Sequence, residues 1–388
     1  MADLHLVTFY PVGNGDTSQI VLHNKRRVLL DFCHREKSTQ TDTPEIDLKS
    51  RLKADLKAAN RDYFDVVAFT HGDLDHIQGS TDFFELQHAK KYQGEERIKI
   101  RELWVPAAML LEEADNDHQQ EECVLLREEA WYRLLEGQGI RVFSQPESLM
   151  ERLRLKLKER GESETARDHL FVDAGTLVPG FSLAKDGVEF FCHSPFIKHC
   201  DDGKDIIRNI ASLVFNIRFR VDGEHYDYLE VGDTEWETLE EIVSVTKFHK
   251  NDDRLNWDLY NLPHHCSYLA LSDDKGEQET VPKPLVKELL LHGQKEAYLV
   301  SSSKPIPNDK EAYNQALPPH IQARKAYERH LKEVNGRSFL VTMEEPNASK
   351  PEPITFEVTR WGVTWKQSAS IGAPAIVLTI PPRAGDGS

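Results

Sequence analysis

The sequence predicts an α/β protein built on strands whose ends carry histidines and aspartates. Three observations lead there. Apolar runs of strand length, such as Asp65-Val66-Val67-Ala68-Phe69, alternate with segments of helical spacing, such as 47–60 with Leu48, Leu52 and Leu56 on one face. At 388 residues, 39% hydrophobic and 9% aromatic, the chain can bury one large α/β domain with insertions or two smaller ones. Histidines and aspartates recur just past apolar runs, where parallel strands would bring them to a common sheet edge.

Residues 4–9 read as a strand, followed by the glycine-bearing loop Pro11-Val12-Gly13-Asn14-Gly15-Asp16. Residues 18–22 and 27–32 read as a hairpin around His23-Asn24-Lys25. The helix over 47–60 leads into the strand over 65–69, and a further strand over 101–105 ends at Pro106. From 107 to 167 the chain turns rich in Glu, Leu, Arg and Gln, with helical periodicity in 109–111, 123–135 and 149–157. This predicts an inserted helical arm, either a solvated hairpin or a surface for a protein partner. Strands return at 188–192, 210–221 and 226–231, the last two joined by Asp222-Gly223-Glu224, a hairpin signal. A helix over 234–245, a strand over 259–262, a helix over 283–292, a strand over 297–301 and a helix over 320–334 follow. The chain from 337 on is β-prone at 339–343, 354–359 and 362–365, and its Pro- and Gly-rich end, 381–388, reads as frayed. The predicted division is a main domain over 1–336 and a C-terminal extension over 337–388.

A net charge of −17 argues against unspecific binding of a phosphate backbone by the whole surface. It leaves room for a nucleotide or nucleic acid held locally by cations. The five cysteines include no CxxC pair, so neither a zinc ribbon nor a disulfide framework is indicated. Met1-Ala2-Asp3-Leu4-His5 lacks the pattern of a signal peptide, and no apolar run approaches the roughly 20 residues of a membrane span. A cytoplasmic protein, without membrane association, is the expectation.

The densest chemistry lies in Thr70-His71-Gly72-Asp73-Leu74-Asp75-His76-Ile77-Gln78-Gly79, directly after an apolar strand and before a helix read over 77–86. Two imidazoles and two carboxylates within six residues are what a divalent cation needs. The bland alternative is an acidic turn in which Asp73 or Asp75 caps the helix. A cap leaves both histidines unexplained. His193 follows the 188–192 run, Asp233 follows Tyr228-Leu229-Glu230-Val231-Gly232, and His264 and His265 follow Leu259-Tyr260-Asn261-Leu262-Pro263. A single histidine in such a place is ordinarily a satisfied structural group. Recurrence at several strand ends is what favours a site.

The order HxDxDHxxG, strand-His-x-Pro, strand-Gly-Asp and Pro-His-His-x-Ser resembles the metallo-β-lactamase superfamily. Within it the likeness is to the hydrolase domain of ComEC/Rec2 competence proteins. Val12-Gly13-Asn14-Gly15-Asp16-Thr17 resembles its opening VGQGDS loop, Val28-Leu29-Leu30-Asp31 its second strand, and Asn209-Ile210-Ala211-Ser212-Leu213-Val214 its NxxSLVL strand. Ser301 to Ser303 and Pro319-His320 resemble its final elements. The likeness spans residues 4–335 in outline. It departs where Gln78 replaces a usual glycine, where Cys266 replaces the glycine of HHGS, and where a tyrosine-glycine before the later histidine is missing.

The resemblance implies an αββα sandwich with two divalent ions, Zn²⁺ or Mn²⁺, at one edge. His71, Asp73 and His193 would hold one ion. Asp75, His76 and one of His264 and His265 would hold the other, with Asp233 bridging. The reaction implied is hydrolysis by a hydroxide shared between the ions, with Asp75 orienting it. The histidine of the 264/265 pair not on metal, or His320, would serve as proton donor. Ser267 and Asp16 would line the pocket or act as turn and cap residues, and Asn14 would shape the first loop. The machinery suits phosphodiesters, lactones and thioesters alike. The ComEC-like motifs favour phosphodiester hydrolysis, as a nuclease or nucleotide phosphodiesterase. A lactone or thioester hydrolase, or an interaction protein of a toxin or defence system using the helical arm, are the competing readings.

Overall fold

The computed structural model describes residues 4–40, 42–94, 96–112, 121–163, 165–200 and 207–367. Its strands are β1 (His5–Phe9), β2 (Ser18–Val21), β3 (Arg27–Leu30), β4 (Tyr63–Ala68), β5 (Lys99–Pro106), β6 (Ile140–Phe143), β7 (Phe171–Val172), β8 (Val188–Ser194), β9 (Val214–Val221), β10 (Glu224–Glu230), β11 (Trp257–Asn261), β12 (Gly293–Ser301), β13 (Ser338–Val341), β14 (Ile354–Thr359) and β15 (Gly362–Trp365). They form a nine-stranded sheet in the order β15-β14-β1-β2-β3-β4-β5-β6-β7 and a six-stranded sheet in the order β13-β12-β11-β10-β9-β8.

The two sheets face each other across an apolar layer. β4 shows how the pattern produces this: Val66 and Ala68 point into the layer between the sheets, while Val67 and Phe69 point outward. A strand buried on both faces reads as a continuous apolar run, as this one does. Trp104 of β5 sits in the inter-sheet layer, 5.2 Å from the ring of Phe190 and 5.8 Å from that of Phe215, both in the other sheet.

Helices cover both outer faces. On the nine-stranded sheet lie α1 (Leu48–Ala58), the short α2 (Leu74–Ile77) and α3 (Ser80–Phe83), α4 (Ala107–Leu111), α5 (Glu121–Glu136) and α6 (Glu147–Glu159). α7 (Ile197–Cys200) follows β8. On the six-stranded sheet lie α8 (Trp236–Phe248), α9 (Pro284–Leu291) and α10 (Ile321–Glu333). The architecture is an αββα sandwich.

Three sequence expectations change. The helix read over 77–86 is broken into α2 and α3 at Gly79, whose φ of 78° is left-handed and whose added Cβ would lie 2.8 Å from the His34 carbonyl oxygen. Residues 107–167, expected to be helical, also contain β6, which pairs in parallel with β5, so α4 to α6 cover the sheet rather than leave it. The β-prone segment is woven into both sheets: β13 pairs with β12, and β14 pairs with β1 and β15. The end read as frayed, 381–388, lies outside the described residues. Among the described residues no helix is long and apolar enough to cross a membrane.

The site follows from strand direction. β3 and β4 run parallel, as do β10 and β11, so the residues after them gather at one edge of the sandwich. Backbone hydrogen bonds stitch these segments together: Leu213 N–H to Thr70 O (3.0 Å), His264 N–H to Gly232 O (3.2 Å), and Asp16 N–H to Asp75 O (3.0 Å).

Candidate metal centre

Asp75, His76, Asp233 and His265 converge, each offering one ligand atom, and these atoms all lie within 4.8 Å of one another. His76 Nε2 is 3.1 Å from Asp233 Oδ1, and His265 Nε2 is 3.1 Å from Asp75 Oδ2 and 3.6 Å from Asp233 Oδ2. His76 Nε2 and Asp233 Oδ1 are buried without an aligned hydrogen bond. These two atoms are turned into the cluster, while His265 Nε2 and Asp75 Oδ2 hydrogen-bond across it.

Groups behind the ligands fix them. His76 Nδ1 donates to Asp31 Oδ2 at 2.7 Å, and Asp31 also accepts from the Thr70 N–H (2.7 Å) and hydroxyl (2.6 Å). His265 Nδ1 donates to the Ser302 carbonyl oxygen at 2.8 Å. In both imidazoles Nδ1 is spent on the protein and Nε2 is turned to the cluster, the arrangement that orients metal-bound histidines. This donor set, two imidazoles and two carboxylates, fits a divalent cation such as Zn²⁺ or Mn²⁺.

The electrostatics are those of a site prepared for positive charge. Burial pushes the Asp75 carboxyl up, but the hydrogen bond to His265 and the nearby His76 bring it down to about 2. Burial opposes ionisation of Asp233 too, yet His265 and His76 hold it well below the usual carboxylate range. Burial disfavours the charged form of His265, but Asp233 and Asp75 lift its pKa to about 9. In His76 the same burial is outweighed by Asp233 and Asp31, which hold it well above the ordinary value.

Of the other expected ligand set, His71 and Asp73 lie side by side and His193 stands apart. His71 is buried with Nε2 3.4 Å from Asp73 Oδ2, and the rings of His71 and His76 lie 4.0 Å apart. Their expected companion His193 is turned away. Cys192 packs into the inter-sheet layer, so the next residue faces the opposite side, toward α8. There His193 Nε2 donates to the Arg254 carbonyl oxygen at 3.0 Å, and Nδ1 accepts from the Thr246 hydroxyl at 3.2 Å. Burial pushes its pKa down to about 4, keeping it neutral. Asp73 is instead held by Arg208, whose Nη1 is 2.7 Å from Asp73 Oδ1. Burial would raise the Asp73 carboxyl, but His71 and Arg208 hold it well below the usual range.

Of the two adjacent histidines, His265 joins the cluster. His264 sits at the rim, with Nε2 3.9 Å from Asp233 Oδ2 and Nδ1 3.9 Å from Glu235 Oε1. His264, His265 and Cys266 take φ of 51°, 52° and 64°, three consecutive left-handed residues that swing the two imidazoles to different sides. His320, expected as a proton donor, stands behind this loop. Its backbone N–H donates to Cys266 O (3.1 Å), its Nδ1 accepts from the Tyr268 N–H (3.4 Å), and burial lowers its pKa to about 4. These contacts make it a support of the loop.

Asn14 ties loops together, donating to Pro318 O at 2.8 Å and accepting from the Lys304 N–H at 2.9 Å. Ser267 caps a turn by accepting from the Leu269 N–H. Asp16 lies closer to the chemistry: buried under the cluster, it accepts from Asn261 Nδ2 at 3.2 Å, and burial raises its pKa. Asn261 also donates to Glu230 Oε1 at 3.0 Å; burial and the neighbouring Asp16 lift Glu230 to about 8, and it accepts from the Tyr228 hydroxyl.

Sequence reasoning did not assign Asp31, Thr70, Ser302 and Arg208 their parts. Asp31 had a local signal, a carboxylate closing the apolar strand Val28-Leu29-Leu30. Ser302 acts through its backbone, and Arg208 through a contact 135 residues away in the chain, so neither leaves a spacing to read.

No protein-family model matches this chain, and no curated protein matches it. Among solved structures, it is similar to a crystal structure of a new diphosphatase from the PhnP family, with 12% identity over 92% of this chain and 100% of that one, and a TM-score of 0.31. It is also similar to the metallo-beta-lactamase GOB-18 from Elizabethkingia meningoseptica, with 13% identity over 84% of this chain and 92% of that one, and a TM-score of 0.30.

Proposed function

We propose that this chain is a metal-dependent hydrolase of the metallo-β-lactamase superfamily that cleaves phosphodiester bonds in a nucleotide or nucleic-acid substrate. The observation that carries the reading is the cluster of Asp75, His76, Asp233 and His265, with Asp31 and the Ser302 carbonyl oxygen setting the imidazoles. A divalent cation held there supplies an acidified water and a Lewis acid for the phosphoryl oxygen.

The protein's own groups do the rest. Asp75 is the most open of the four, its side chain 33% exposed, and is ionised at neutral pH; it accepts a hydrogen bond from the attacking water and aligns it. His264, 20% exposed at the rim, donates to the oxygen that leaves. Asp233 and His265, both buried, keep their positions through the reaction.

The phosphodiester preference rests on the ComEC-like motifs, two of which adjoin the site through Asp16–Asp75 and Leu213–Thr70 backbone bonds. The surface charge of −17 favours a small nucleotide, or nucleic acid brought by a protein partner. The test is turnover of bis(p-nitrophenyl) phosphate, cyclic dinucleotides, and single- and double-stranded DNA by protein loaded with Zn²⁺ or Mn²⁺. Asp75→Ala is expected to abolish cleavage while leaving the circular dichroism spectrum intact. Undiminished turnover in that variant removes the proposal, and ester turnover without phosphodiester cleavage redirects it to lactones or thioesters.

A further inference from the structure

We infer that the centre takes a single divalent cation and that the Arg208 guanidinium closes off the place where a second would sit. The inference rests on the metal-dependent reading above and narrows it.

The second place has two donors, His71 and Asp73, where a protein-held catalytic cation has at least three ligands. His193, the third expected from the sequence, has both ring nitrogens engaged on the far side of its strand. Asp233 stands with the other set: Oδ1 lies 3.1 Å from His76 Nε2, and Oδ2 lies 3.6 Å from His265 Nε2 and 3.9 Å from His264 Nε2.

Arg208 then takes the available carboxylate oxygen. Its Nη1 donates to Asp73 Oδ1 at 2.7 Å and to Gly72 O at 3.1 Å, while Nε and Nη2 grip Glu112 at 2.6 and 3.1 Å. Nη2 also lies 3.8 Å from the Cys123 sulfur. All five N–H groups of the guanidinium therefore have an acceptor in the protein. A planar cation gripped on two sides by carboxylates is a fixed part of the wall and has no donor left for a substrate. Its charge lies against the same carboxylate that a second cation would need, which weakens Asp73 as a ligand.

The test is elemental analysis of the full chain after loading with Mn²⁺ and dialysis, together with its electron paramagnetic resonance spectrum. One ion per chain, with the hyperfine pattern of an isolated Mn²⁺, is expected. The count should stay at one in Asp73→Asn and fall to zero in Asp233→Asn. Two ions per wild-type chain, or a spin-coupled pair, overturns the inference and leaves the hydrolase reading standing. Loss of the ion in Asp73→Asn with retention in Asp233→Asn overturns it as well. No ion in the wild-type chain removes both. The wild-type spectrum decides even where a variant does not fold.

Discussion

His265 and His193 both come from the six-stranded sheet, both are buried, and both follow apolar strand residues, yet they end in opposite surroundings. His265 gives Nδ1 to a backbone carbonyl and keeps Nε2 for the cluster. His193 gives both nitrogens to the protein. The difference lies in the partner of the second nitrogen. A histidine becomes available to a cation when one nitrogen is anchored and the other is left facing carboxylates. The same contrast separates Asp233, surrounded by imidazoles, from Asp73, neutralised by an arginine.

Acidity should give the largest separation between the two regions. Without a cation His265 carries its proton up to about pH 9, so a cation arriving at neutral pH must displace it. Affinity should therefore climb with pH through the neutral range, about tenfold per unit for each proton displaced, from His265 and from His76, which is also held above its ordinary value. Calorimetric titration in buffers of different ionisation enthalpy reads the proton release directly, and a pH-independent affinity contradicts the assignment. Removing an anchor comes next. Asp31→Asn should weaken cation binding by roughly 10- to 100-fold while the fold persists; unchanged affinity would mean that the anchor is dispensable.

The smallest functional effect is expected at His193. His193→Gln should leave cation affinity unaltered and cost about 1–3 kcal/mol of stability by disturbing two buried hydrogen bonds, measured by urea unfolding. A variant that lost cation binding at full stability would restore His193 to the centre and erase the contrast.

Much of the fold was legible because the apolar patterning is strong. The β4 run, the helical face of Leu48, Leu52 and Leu56, and the Asp222-Gly223-Glu224 turn all formed as their residues dictate. The pairing of β14 with β1, strands nearly the whole chain apart, was not legible, since periodicity carries no information about partners. Of the four residues that converge, Asp75, His76 and Asp233 could be named from residue type after strands, whereas His264 and His265 follow the same strand and the sequence left the choice between them open. The orientation of His193 depended on which face of β8 its neighbour Cys192 packs, together with a register shift between Cys192 and Ser194. Single-residue phase of that kind is set by tertiary packing. Arg208 escaped because its contacts with Asp73 and Glu112 are distant in sequence.

The left-handed turn at His264, His265 and Cys266 has a thermodynamic consequence. Each of these residues carries a Cβ in a conformation that costs on the order of 1–2 kcal/mol, so the turn is a spring held shut by its surroundings. The latches are the His264–Gly232 and His320–Cys266 backbone bonds, and whatever His265 grips at its outer nitrogen adds a further one. Cation loading should therefore slow amide exchange in this turn more than elsewhere along the edge, making it a built-in gauge of occupancy.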